Sequence, residues 1–226
     1  MNEYTLYLLL LVAMGFSLWA QFNVKSTFSK YSKLNLSSGL TACEAARRIL
    51  DRNGLYGVRI ERVSGSLSDH YDPKANVIRL SDDVYSSSTA SAVGVAAHEA
   101  GHAVQHAQNY GPIQVRSAII PICQIGSNLA WPLIMIGLIL SIPALASLGV
   151  VFFSLATVFQ LVTLPCEFDA SARAMEALEN SGLLHDNELV AAKKTLRAAA
   201  LTYVAALAVS LINLLRVVAI VNNRRD

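Results

Sequence analysis

A chain of 226 residues has room for one ordinary domain, but 54% hydrophobic residues, 15% charged residues and a mean hydropathy of +0.43 set it apart from soluble domains, whose charged fraction is about 25%. The composition is that of a membrane protein. A formal net charge of +2 leaves no basic surplus for binding nucleic acid, and the high apolar content excludes disorder. Cys43, Cys123 and Cys166 form no CxxC pair, so neither a disulfide framework nor a zinc ribbon is expected.

Residues 4–22 carry no charge and are just numerous enough to cross about 30 Å of hydrocarbon as a helix, which makes them the first span. A cleaved signal peptide is the alternative. It is disfavoured because only Glu3 stands where Lys or Arg is required, and Leu18 is bulky where cleavage needs a small residue. From Ser37 the chain turns polar, and residues 37–112 read as one region folded outside the membrane. Thr41 and Glu44 have capping-box spacing and open a predicted helix of three turns that ends at Asn53-Gly54. Val58 to Val63 alternates apolar and charged residues as a half-buried strand does, and Val77 to Leu80 is a second strand after the Asp72-Pro73 turn. Ser86 to Thr89 offer N-caps for a helix over 90–109, closed by Gly111-Pro112.

Residues 113–126 read as a short helix leading into the membrane. Between Arg116 and Glu167 lie fifty residues without a charge, more than twice the ~20 needed by one span, so two helices fold back as a hairpin. Pro143 and Ser147-Leu148-Gly149 are the turn signals, which gives spans over 129–146 and 148–164. A helical segment over 166–197 precedes a fourth span over 198–221, interrupted by Arg216, whose place near the end lets it snorkel outward. Four spans gather segments 23–116 and 166–197 on one side. That side carries Lys25, Lys30, Lys33, Arg116, Arg173, Lys193, Lys194 and Arg197 against Arg224 and Arg225 opposite, so the positive-inside rule makes it cytoplasmic.

The predicted helix over 90–109 contains His98-Glu99-Ala100-Gly101-His102. Histidines four apart lie one above the other on a helix, so both rings can reach one Zn²⁺, with the intervening Glu beside an open coordination position. From the chain's own His and Glu content the pattern arises by chance about 0.004 times. Two histidines bonded in an apolar core are the structural alternative, a costly one among Val95, Ala96, Ala97, Ala103 and Val104. A catalytic zinc takes three protein ligands. His106 continues the series but lies ~6 Å beyond His102 along the axis, and one ion cannot sit against three successive turns. The HExxHxxGxxH arrangement is absent, for no histidine occupies its last position and Asn109 and Tyr110 stand in the region that follows.

Glu167 is the third ligand expected, because the topology returns it to the side of His98 and His102, and Pro165 offers a break that lets a new helix tilt over the site. Ser171 shares its face, while Asp169 points about 200° away and is placed to pair with Arg173. Glu99 is the expected general base: it takes a proton from the attacking water and delivers it to the leaving amine, while zinc polarises the scissile carbonyl. Arg173, His70 and Tyr71 are each open as oxyanion donors. The strand Val77 to Leu80 offers an edge on which an extended peptide could pair.

The strings Asp69-His70-Tyr71-Asp72-Pro73, Arg79-Leu80-Ser81, Gly94 through Gln105 and Leu164-Pro165-Cys166-Glu167-Phe168-Asp169-Ala170-Ser171 resemble the bacterial neutral zinc metallopeptidases of the YugP type, and the likeness covers almost the whole chain. It implies a multi-pass metallopeptidase of the bacterial plasma membrane, one Zn²⁺ held by His98, His102 and Glu167, and Glu99 catalytic. The fold implied is an α-helical membrane protein of about four spans with a small α+β zincin-like region on one membrane face. The chain is also similar, more distantly, to membrane gluzincins such as the heat-shock-type endopeptidases and the prenyl-protein peptidases. Those carry Glu-x-x-x-Asp in the third-ligand helix, where this chain has Ser171. The expected partners are the lipid bilayer and peptide or protein substrates, including membrane proteins. A non-enzymatic membrane protein with a structural or regulatory zinc is the competing class, and Glu99 argues against it, because a structural zinc fills its open position. A transporter would place more polar groups in its spans than Asn128, Gln160 and Asn213.

Overall fold

The computed structural model describes residues 3–223, so Arg224 and Arg225, counted above on the opposite face, lie outside the described residues. The fold is mostly helical, with one small sheet. Helix α1 spans Glu3–Tyr31 and α2 Ala42–Arg52; strands β1 (Arg59–Val63), β2 (His70–Asp72) and β3 (Val77–Ser81) follow; then come α3 (Asp82–Tyr85), α4 (Ala90–Ala107), α5 (Gly111–Ile139), α6 (Pro143–Ser181) and α7 (Asp186–Asn223). Helices α1, α5, α6 and α7 are long and apolar enough to cross a membrane. Only 17% of the most apolar stretch of α1, α6 and α7, and 28% of that of α5, is buried by protein. Apolar surface on that scale requires a nonaqueous surrounding, consistent with a membrane location.

The chain gathers into two compact units. The first holds residues 3–20, 114–164 and 202–223. In it α5 and α6 form the expected hairpin, but the bend falls at residues 140–142, with Ser141 at φ +53°, and Pro143 is the first residue of α6. Proline suits that position because its missing N–H needs no partner in a first turn. Ser147-Leu148-Gly149, expected to bend, is helical instead. Gly149 serves close approach: a Cβ there would lie 2.7 Å from the Ile134 nitrogen and 2.9 Å from the Ala130 carbonyl oxygen. Likewise the short helix expected over 113–126 is part of one continuous α5 that passes through Pro121 and Pro132. Gly111-Pro112, expected to close the preceding helix, opens α5 by the same first-turn logic. Thr157 Oγ1 and Ser210 Oγ, 2.8 Å apart, tie α6 to α7, and the Arg216 guanidinium carbon lies 5.5 Å from the centre of the Tyr7 ring, a cation–π contact to α1.

The second unit holds residues 21–113 and 165–201. Here the capping box forms as expected: Thr41 Oγ1 accepts from Glu44 N (3.3 Å) and Glu44 Oε2 accepts from Thr41 N (2.9 Å), and Gly54 at φ +72° carries the chain out of α2. The strand order is β1-β3-β2, with β1 parallel to β3 from Arg59↔Val77 to Val63↔Ser81 and β2 antiparallel to it from His70↔Arg79 to Asp72↔Val77. Asp72 Oδ1 accepts from Lys74 N and Ala75 N, which makes the turn between β2 and β3. Because β3 is central, with Val77, Ile78, Leu80 and Ser81 fully buried, the edge expected on it is not free; the outer strands are β1 and β2. Helix α4 is capped by Thr89, which accepts from Ala92 N, and it runs through the core of this unit. Ala96, Ala97 and Ala100 are fully buried, and small residues let α6 and α7 approach α4 closely.

Candidate metal centre

Helix α4 delivers the two histidines. His98 and His102, one turn apart, place their rings 4.7 Å apart at an interplanar angle of 81°. Opposite them stands Glu167 on the part of α6 that belongs to the same unit. The break expected at Pro165 is absent, since α6 is continuous from Pro143 to Ser181. What brings Glu167 over the histidines is Gly101, because a Cβ there would lie 2.6 Å from the Ala170 carbonyl oxygen and 3.3 Å from Ala170 Cα. The backbones of α4 and α6 therefore touch at Gly101 and Ala170, three residues beyond Glu167.

Glu167 Oε2 lies 3.2 Å from His98 Nε2 and 3.5 Å from His102 Nε2. The ligand-type atoms of these three residues all lie within 4.8 Å of one another, a group that could hold a metal ion. Glu167 is only 3% exposed. Burial alone would push its carboxyl up, yet hydrogen bonds and charge from His102 and His98 hold it well below the ordinary range. Burial likewise disfavours charge on His102, but the Glu167 bond and the charges of Glu99 and Glu167 hold its imidazole above the ordinary value. The negative charge that favours a proton on His102 also attracts a metal cation.

The outward nitrogens test the fit to zinc. His102 Nδ1 is 2.9 Å from Gln105 Oε1, and His98 Nδ1 is 3.1 Å from Ser171 Oγ. With each Nδ1 engaged, the two Nε2 atoms face the Glu167 carboxylate. Two neutral imidazoles and one carboxylate are the donor set that a hydrolytic zinc takes, and partners on the far nitrogens are what hold such ligands in place. The residues fit the metal. Glu99, 8% exposed, sits on the same turn of α4.

Of the other residues singled out in the sequence, Ser171 joins the group through His98. Arg173 is engaged by its neighbours: its Nε bonds Asp169 Oδ2, the pair expected from their spacing, its Nη1 bonds Gln108 Oε1, and its guanidinium lies over the Tyr110 ring. His70 engages Ser68 O through Nδ1 and Arg79 Nη1 through Nε2, and the Tyr71 hydroxyl donates to Asn76 Oδ1. The hydrogen bonds of all three oxyanion candidates thus run to other partners. His106 packs its ring 5.6 Å from that of Tyr71, and it is outside the metal-capable group. Sequence reasoning missed Gln105 and the packing role of Gly101. Gln105 left a faint signal: a polar residue directly after Ala103-Val104, on the helix face of His98 and His102.

A profile of the family described as "Putative neutral zinc metallopeptidase" matches residues 6–222. The chain is 51% identical over 218 residues, 96% of its own length and 97% of the other's, to the "Putative membrane protease YugP" of Bacillus subtilis (strain 168). No solved structure matches it. With its metal-capable group carried on helices that this likeness covers from end to end, the chain belongs to the neutral zinc metallopeptidase family.

Proposed function

We propose that this chain is a membrane-bound, zinc-dependent endopeptidase that hydrolyses peptide bonds of unfolded or membrane-associated proteins. The observation that carries the reading is the convergence of His98 Nε2, His102 Nε2 and the Glu167 carboxylate, with Glu99 buried on the same helical turn. These three side chains are the proposed ligands of one zinc ion in a zincin-like region, and Glu99 the proposed base. Zinc held there supplies a Lewis acid for the scissile carbonyl and acidifies water toward a pKa of ~7. Glu99 takes a proton from the attacking water and passes it to the leaving amine, so that the departing group leaves neutral. Gln105 and Ser171 hold the two imidazoles in register. Strand β2, an outer strand of the sheet beside α4, offers its edge to an extended peptide, which favours substrates without stable structure. Membrane-held catalysis is supported by the four apolar helices and by the relative's description as a membrane protease. The cytoplasmic face is proposed from the basic residues that flank the spans.

The test is full-length protein in nanodiscs, assayed for zinc content and for cleavage of an unstructured protein, beside Glu99→Gln. The amide fills the same volume but cannot accept the proton. The variant is expected to keep its zinc and to lose at least a hundredfold in cleavage rate; undiminished cleavage would remove Glu99 from the role.

A further inference from the structure

Gln105 is completely buried, and every polar atom of its amide is engaged. Its Nε2 donates to the Cys166 carbonyl oxygen and to Asp169 Oδ2, each at 2.8 Å. Both partners only accept, which fixes the orientation of the amide and turns Oε1 toward His102 Nδ1 at 2.9 Å. An amide oxygen cannot donate, so the proton of this bond sits on His102 Nδ1, and Nε2 is the nitrogen left to offer a lone pair to a metal. Asp169 is in turn held by Arg173. One side chain thus sets the tautomer of one proposed ligand and grips the backbone of α6 at Cys166, the residue before another proposed ligand.

We propose that Gln105 is the positioning residue of the metal centre, with Asp169 and Arg173 fixing which way its amide faces. Ser171 Oγ stands 3.1 Å from Nδ1 of the other histidine, His98. Orientation of the histidines here therefore rests on neutral partners, and the carboxylate, Asp169, acts one bond further away, through Gln105. Losing a partner of this kind weakens metal binding by about ten- to a hundredfold. The proposal rests on His102 and Glu167 being zinc ligands.

The experiment measures zinc affinity of the full-length protein by competition with a chromophoric chelator, and the visible spectrum of the cobalt-substituted form. Gln105→Leu should weaken zinc about ten- to a hundredfold and alter the cobalt bands. Gln105→Glu should do likewise, since it sets two carboxylates face to face and loses the donors to Cys166 and Asp169. Adding Asp169→Asn to Gln105→Glu restores a donor opposite an acceptor and should recover at least half of the lost affinity, on a logarithmic scale, together with the parent cobalt spectrum. A residue that merely fills space would give no such recovery. Unchanged affinity and bands in both single variants, or no recovery in the double variant, overturns the assignment. His102→Ala is the control: zinc retained there would remove the ligand set itself, whereas zinc lost there with Gln105 variants unaffected removes only the role of Gln105.

Discussion

Gly101 and Ala170 meet backbone to backbone, so closely that a single methyl group at Gly101 would lie 2.6 Å from the Ala170 carbonyl oxygen. Within the HExxH sequence this glycine occupies a position that metal chemistry leaves open, and its packing is what lets Glu167 face His98 and His102.

Gly101→Ala is expected to force α4 and α6 apart, because the atom in the way is backbone and cannot rotate aside. Overpacking of this kind costs about 1–3 kcal/mol. Thermal unfolding should show a lower midpoint and metal analysis a reduced zinc content; a variant with parent stability and full zinc would show that the contact yields.

His102→Ala should abolish zinc binding and Glu167→Ala should weaken it strongly, whereas His106→Ala, altering a ring that packs on Tyr71, should keep about one zinc per chain. Metal content after gel filtration reads all three. Zinc lost from His106→Ala, or kept by His102→Ala, contradicts the ligand set.

Glu188 supplies an acid-sensitive contact outside the metal-capable group. Its Oε1 accepts from Ser37 N (2.8 Å) and Ser37 Oγ (3.1 Å), and its Oε2 accepts from His185 N (2.8 Å). Burial would raise the carboxyl, but the bonds from His185 and Ser37 outweigh it and hold its pKa below the ordinary 4.5. A pKa depressed by folding gives stability that is fully present above 4.5 and is lost as pH falls through the folded value. Glu188→Gln is expected to cost about 2 kcal/mol at pH 7, since an amide must turn a donor toward an N–H. That gap should close as the pH drops below 4.5, read from unfolding midpoints in a pH series. A gap independent of pH would show that the charge is not what stabilises the contact.

Sidedness can be read by placing a cysteine at exposed Ser86 in a protein whose Cys43, Cys123 and Cys166 are replaced. In intact cells it should resist an impermeant thiol reagent until the membrane is opened; prompt labelling from outside would reverse the proposed topology and with it the substrate pool.

The sequence by itself determined the four long apolar helices, the capped α2, the strands near 59–63 and 77–81, and the His98-Glu99-His102 turn of α4. Each is a local matter: hydrophobic length, capping chemistry, period-two alternation and i, i+4 spacing act within one segment and leave their pattern in it. It also singled out Glu167 and Ser171, through the count of charges and the need for a third ligand. Tertiary structure decided the rest, because contacts between segments leave only weak marks in either one. Pro165 reads as a break, yet α6 is continuous through it. Gly149 reads as a turn, yet it is where α5 packs on α6. The edge expected on β3 is covered because β2 and β1 pair on its two sides. Gln105 has no motif to announce it, and its meaning appears only when Cys166 and Asp169, more than sixty residues away, close around its amide and turn its oxygen to His102.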